Sequence, residues 1–159
     1  MTVRDNVRLA ATDQLGERTL PALLRIDAMR TREQGVRERA DELIEVFELD
    51  HLAEEYSGNL SGGQRKLLEL ARALMLDPHL LLLDEPSAGL APDLVDSMFD
   101  RIEAVNETGT VVLMVEQNAK EALRRCDRGY VLAQGENRYG GSGETLLDDE
   151  DVRRQFLGG

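Results

Sequence analysis

Leu60-Ser61-Gly62-Gly63-Gln64-Arg65, followed by Leu80-Leu81-Leu82-Leu83-Asp84-Glu85-Pro86, is the stretch that decides the reading of this chain. Ser61 is a good helix N-cap, and two glycines let backbone approach a ligand closely. Leu67, Leu68, Ala71, Leu74 and Met75 then recur at helical spacing. The start of such a helix offers free N–H groups and a positive dipole end, a natural phosphate site. On Ser61 to Gln64 alone the plainer reading is a capped helix with a flexible approach. Asp77-Pro78 ends the helix, because the residue before proline disfavours the helical region. Leu80 to Leu83 is apolar without alternation, which predicts a strand buried on both faces of a parallel sheet. Asp84 and Glu85 end it. Ligands of open α/β sheets bind at strand carboxyl ends, and the plainer alternative is an exposed acidic turn.

Working outward, Val36, Ala40, Leu43, Ile44 and Phe47 mark an amphipathic helix, and residues 1 to 59 read as largely helical. Glu48 to Glu55 reads as a continuation or turn, and Ser57-Gly58-Asn59 as a break. Downstream, Asp93 to Val105 predicts a helix with Leu94, Met98, Ile102 and Val105 inward. Thr110 to Val115 predicts a strand, Ala119 to Arg125 a short helix, and Tyr130 to Ala133 a third strand closed by a Gln134-Gly135 turn. Gly140 to Gly143 reads as a loop before one closing helix, about Thr145 to Leu157. Strands alternating with helices imply an α/β fold with a largely parallel sheet.

The length of 159 residues suits one domain with a real core, and 42% apolar with 31% charged residues is an ordinary globular balance. No apolar run approaches a membrane span, and Met1 to Asn6 holds no apolar signal core. Cys126 is the single cysteine, which precludes an intrachain disulfide and reads as packing rather than a nucleophile. A net charge of −12 argues against a nucleic-acid surface, which needs clustered positive charge. Among 19 basic residues only Lys66 and Lys120 are lysine. That pattern fits proteins of salt-loving microbes, and equally a genomic preference for arginine.

The six-residue loop, the helix after it and the strand ending Asp-Glu together resemble the signature sequence and Walker B strand of ABC-type ATPases. The resemblance implies a partial P-loop NTPase fold: a helical subdomain, about 1–76, then the C-terminal half of a largely parallel sheet core, about 77–159. It implies ATP and Mg²⁺ as cofactors. Ser61, Gly62, Gly63 and Gln64 would face the γ-phosphate held by a partner subunit. Asp84 would help hold Mg²⁺, and Glu85 would be the general base on the attacking water. Ser87-Ala88-Gly89-Leu90-Ala91 matches the D-loop, with Ala91 where most of the family has aspartate. Val115-Glu116-Gln117-Asn118 matches the switch segment, with Gln117 in place of its histidine. Glutamine can position phosphate or water but cannot relay a proton. His51 and His79, the only histidines, lie elsewhere and read as surface and turn residues.

Glu116-Gln117-Asn118, Gly89-Leu90-Ala91-Pro92, Asp127 to Leu132 and the tail Asp151 to Gly158 are similar to ATP-binding subunits of branched-chain amino acid transporters. That implies a homo- or heterodimer of ATPase subunits docked on membrane permease subunits, cytoplasmic and peripheral at the inner face of the membrane. A P-loop reads G-x-x-x-x-G-K-[ST], and here Lys66 follows Arg65 and Lys120 follows Ala119, so no Gly-Lys pair exists. The resemblance places Met1 to Asn6 just after the Q-loop. The expectation is a chain that begins inside a domain, with an in-frame P-loop encoded upstream, and Gln14 is not the Q-loop glutamine. Two other readings are weighed. One is a P-loop-less fragment that pairs in trans with a full-length subunit. The other is a DNA-repair or chromosome-organising ATPase head, disfavoured by the acidic charge and the lack of a coiled coil.

Overall fold

The computed structural model describes residues 1–11 and 26–158. Gln14 and the 12–25 part of the expected helical region lie outside the described residues. The chain divides into two compact units, Met1–Leu81 and Leu82–Gly159.

In the first unit, α1 (Val3–Leu9) begins at Thr2, whose side chain accepts a hydrogen bond from the Asp5 amide. Helix α2 (Ile26–Val46) and helix α3 (Gly62–Leu74) pack with it. Of the two expected apolar stripes, Ala40, Leu43, Ile44 and Phe47 and then Leu68, Ala71, Leu74 and Met75 are buried, whereas Val36 and Leu67 are half-buried; Val3, Val7 and Leu70 complete the core. Two short 3₁₀ turns, Asp50–Leu52 and Ser57–Asn59, carry the chain between α2 and α3. The Arg4 guanidinium ties α1 to this region through Asp41 and through Glu54 at 2.7 Å.

Strand β1 (Leu80–Asp84) and strand β2 (Val111–Val115) form a two-stranded sheet, joined through α4 (Pro92–Glu107). The Glu85 amide, one residue past β1, donates to the carbonyl of Val115, the last residue of β2, at 2.8 Å. The carboxyl ends therefore lie side by side, as a strand–helix–strand crossover requires. The expectation that β1 is buried on both faces is corrected. Leu81 is buried, whereas Leu80 and Leu82 are 51% and 66% exposed. Val111, Leu113 and Val115 of β2 are exposed as well, so each strand has one open apolar face. The continuous leucine run follows from two apolar faces, of which only one is covered here.

Helix α4 buries Met98, Phe99, Ile102 and Val105. Leu94, expected inward, is 39% exposed in the first turn, and Phe99 takes its place in the core. Helix α5 (Ala119–Arg125) lies beside α4, and its Arg125 guanidinium sits over the Phe99 ring, 5.3 Å from the centroid. The same group pairs with Glu121 at 2.7 Å and Asp100 at 3.1 Å.

The rest of the second unit departs from a purely parallel plan. Strand β3 (Gly129–Ala133) pairs antiparallel with β4 (Glu136–Gly141). Gln134 and Gly135, at φ 53° and 79°, form the tight turn that right-twisted hairpins favour. The stretch expected to be a loop at Gly140 and Gly141 is the end of β4. The single closing helix is in fact two, α6 (Gly143–Asp148) and α7 (Glu150–Phe156). Asp149 separates them, because its carboxylate accepts from the Asp151 and Val152 amides and so starts a new helix. Leu123, Leu146 and Val152 form the core beneath, with Cys126, Val131 and Tyr139 against it.

Candidate active site

The loop at α3 is built by its own side chains. Ser61 adopts an extended backbone, and its Oγ accepts from the Gln64 amide at 3.3 Å. The Gln64 Oε1 accepts in return from the Ser61 amide at 2.9 Å. This capping box is worth about 1 kcal/mol of helix stability. It uses the Gln64 N–H, and the Arg65 amide is taken by the Ser61 carbonyl. The first-turn amides without an intrahelical acceptor are then those of Gly62 and Gly63. A Cβ built on Gly62 meets nothing within 4 Å, so space lies open in front of it. The arrangement can receive an anion on backbone N–H groups at a positive dipole end.

In the second unit, Asp84 closes β1 and Glu85 follows at φ 47°, a conformation that residues with a side chain rarely adopt. The turn continues with the Ala88 amide donating to the Glu85 carbonyl and the Leu90 amide to the Ser87 carbonyl. Gly89 at φ 74° completes it. Ala91 is the N-cap of α4 without a side-chain cap bond, and Pro92 is the first helical residue.

The structure brings two of the expected catalytic residues together. Gln117, two residues past β2, donates from Nε2 to the Glu85 Oε1 at 2.6 Å. Glu85 is half-buried and Gln117 exposed. Asp84 is exposed beside them in sequence. Among the described residues no group of three or more His, Cys, Asp or Glu could hold a metal ion. The donor set nevertheless suits Mg²⁺, which is bound by one or two carboxylates completed by substrate phosphates rather than by an all-protein cage. Ser61 to Gln64 belong to the first unit, and Asp84, Glu85 and Gln117 to the second.

One pair was not singled out by sequence reasoning. The Glu116 carboxylate accepts from the Ser87 amide at 2.7 Å and from the Ser87 Oγ at 2.9 Å. The signal that could have found it is a carboxylate placed directly after a strand whose neighbour ends in a turn rich in donors.

With this geometry in view, the chain was compared with known proteins. A family profile described as "ABC transporter" matches residues 1–88. BraG, a high-affinity branched-chain amino acid transport ATP-binding protein of Pseudomonas aeruginosa, is 44% identical over 120 residues, covering 75% of this chain and 52% of BraG. LptB, the lipopolysaccharide export system ATP-binding protein of Escherichia coli K12, is 40% identical over 139 residues, covering 87% of this chain and 57% of LptB. The chain thus spans about half the length of the curated relatives it matches. Among solved structures, the ADP conformation of MJ1267, an ATP-binding cassette of an ABC transporter, superposes with a TM-score of 0.72 at 31% identity. That superposition covers 100% of this chain and 63% of MJ1267.

Proposed function

Because the chain belongs to the ABC transporter ATPase family, we propose that it acts as part of an ATP-hydrolysing subunit of an ABC importer for branched-chain amino acids. The observation that carries the reading is the Gln117 amide held on Glu85 at 2.6 Å, at the carboxyl end of β1. In this reading Glu85 is the general base and accepts the proton of the attacking water. Gln117 orients that water or a phosphate oxygen and stays neutral throughout. Asp84 would hold Mg²⁺, which when bound neutralises charge on the transferring phosphate. Ser61, Gly62, Gly63 and Gln64 would grip the nucleotide of a second ATPase subunit. Residues 1–76 would serve as the helical subdomain, and residues 77–159 as the C-terminal part of the nucleotide core. The assembly would sit on permease subunits at the cytoplasmic face of the membrane. The name of BraG supports the substrate, as does the Glu116-Gln117-Asn118 segment, whereas the name of LptB points to lipopolysaccharide export.

The test is Mg-ATP turnover by the working assembly and by its Glu85→Gln variant. Loss of about 100-fold or more in kcat with ATP binding retained supports the base assignment. Full turnover by the variant overturns it. Uptake of labelled leucine in parallel with lipopolysaccharide release decides the substrate.

A second reading takes the 159 residues as the working unit. Because they contain no Gly-Lys pair, such a polypeptide would lend Ser61 to Gln64 to a full-length partner's ATP without hydrolysing at its own carboxylates. Calorimetry separates the two: tight Mg-ATP binding by the isolated polypeptide sinks the in-trans reading.

A further inference from the structure

Glu116 belongs to the second of the two segments that make the candidate site and reaches across to the first, with hydrogen bonds on both carboxylate oxygens. Its Oε1 accepts from the Ser87 amide at 2.7 Å. Its Oε2 accepts from the Ser87 Oγ at 2.9 Å and from the Asn118 amide at 3.2 Å. Ser87 is buried, at 7% exposure, and Glu116 is half-buried. With three donors on its two oxygens, the carboxylate is poorly placed to act on a water itself. Its work is mechanical.

The residues it joins lie on either side of the Glu85–Gln117 pair. Ser87 is two residues beyond Glu85, and Gln117 is the next residue after Glu116. The Glu85 amide is fixed to Val115 from the same side, at 2.8 Å. The two chain segments, 85 to 87 and 115 to 118, are therefore laced by bonds that run in both directions. Donors of the first segment reach acceptors at Val115 and Glu116, and the Gln117 amide reaches back to Glu85. Gln117 itself is exposed, so its aim depends on where this short segment holds its backbone. Charge-assisted bonds of this kind are stronger than neutral ones, and a displacement near 1 Å at a reacting group costs about 100-fold in rate.

We infer that Glu116 is a positioning residue: by anchoring Ser87 on one side and the Asn118 amide on the other, it holds the intervening Gln117 with its side-chain amide on the Glu85 carboxylate. The inference rests on the reading of Glu85 as general base only for its effect on turnover. The geometric effect stands apart from that reading. It also means that whatever draws Ser87 out of place loosens Gln117 by the same linkage.

The experiment has two arms. In the first, NMR of the chain follows the Gln117 side-chain amide and the Ser87 backbone amide in the parent, Glu116→Ala and the isosteric Glu116→Gln. The expected result is a Gln117 side-chain signal that moves to the position of a glutamine hydrogen-bonded only to water. In Glu116→Ala, Ser87 amide exchange should rise at least about tenfold as its acceptor is lost. Helix α5 signals stay unchanged. If Glu116→Ala does not fold, Glu116→Gln, which keeps one acceptor oxygen but places a donor against the Asn118 amide, decides on the Gln117 signal. A folded variant whose Gln117 signal is unmoved overturns the inference. In the second arm, turnover by the working assembly carrying Glu116→Ala or Glu116→Gln should fall about 10- to 100-fold in kcat, with KM for ATP within about twofold. Equal loss in kcat/KM through KM alone overturns a positioning role. Glu85→Gln is the control: if it keeps full turnover, the base assignment has failed, and the NMR arm alone then judges Glu116.

Discussion

The side-chain amide of Gln117 donates to a Glu85 carboxylate oxygen at 2.6 Å, joining the turn after β1 to the segment after β2. An amide in this place does not titrate, and on the proposed function it would orient water or phosphate. Replacement by alanine is expected to lower kcat of the ATPase assembly about 10- to 100-fold, as a misplaced water or phosphate oxygen costs. Gln117→His should restore most of the loss and add an inflection to the rate profile above the ~6.5 of a free imidazole, because the Glu85 carboxylate favours the charged ring. Steady-state rates between pH 5.5 and 8.5 check both expectations. A parent profile that already shows this inflection would contradict a non-titrating role at position 117.

Ala91 occupies the N-cap of α4, and the Leu94 and Val95 amides both reach its carbonyl while its methyl caps nothing. An aspartate there can accept from the first-turn amides and meets the positive end of the helix dipole. Ala91→Asp is expected to raise unfolding free energy by about 1 kcal/mol. Urea denaturation read by circular dichroism measures it.

Gly143 opens α6 under a backbone roof. A Cβ there would lie 2.0 Å from the Leu123 carbonyl oxygen and 2.8 Å from that of Cys126. Backbone cannot rotate away as a long side chain can. Gly143→Ala should therefore destabilise by about 3 kcal/mol or more, the upper range for forced overpacking. Thermal melts of the two proteins side by side show whether it does.

Burial pushes the Cys126 thiol above its ordinary range, with the neighbouring Asp127 charge adding in the same direction. A raised pKa means less thiolate at a given pH, and thiolate is the reactive form. Labelling by a thiol reagent at pH 8 is expected to be at least about tenfold slower than for free cysteine, and to reach the free rate in denaturant. A native rate equal to the denatured one would show the sulfur to be accessible and ionised.

What was legible in the sequence was legible for local reasons. Ser61 read as an N-cap and is one, and Gln64, three residues on, completes a capping box with it. The stripes through Ala40 to Phe47 and Leu68 to Met75 follow helical period and are buried as expected. Glu85 and Gln117 are 32 residues apart, and only the crossover through α4 brings them together. Three features escaped. Strand β4 has little apolar character and exists because the Gln134-Gly135 turn folds it onto β3. The break at Asp149 is made by a carboxylate that caps, which periodicity does not register. Burial of Leu80 and Leu82 could not be judged from composition, since residues apolar on both sides say nothing about which side is covered.

Glu85 is held at φ 47°, a region that costs an ordinary residue about 1–2 kcal/mol and glycine almost nothing. On the proposed role of Glu85 as general base, selection for stability and selection for turnover would pull this position in opposite directions. A lineage relieved of turnover would gain at this backbone position by replacing Glu85 with glycine or asparagine, at the loss of the Gln117 contact. On that role the carboxylate at 85 is a marker of use, kept against a backbone that favours its loss.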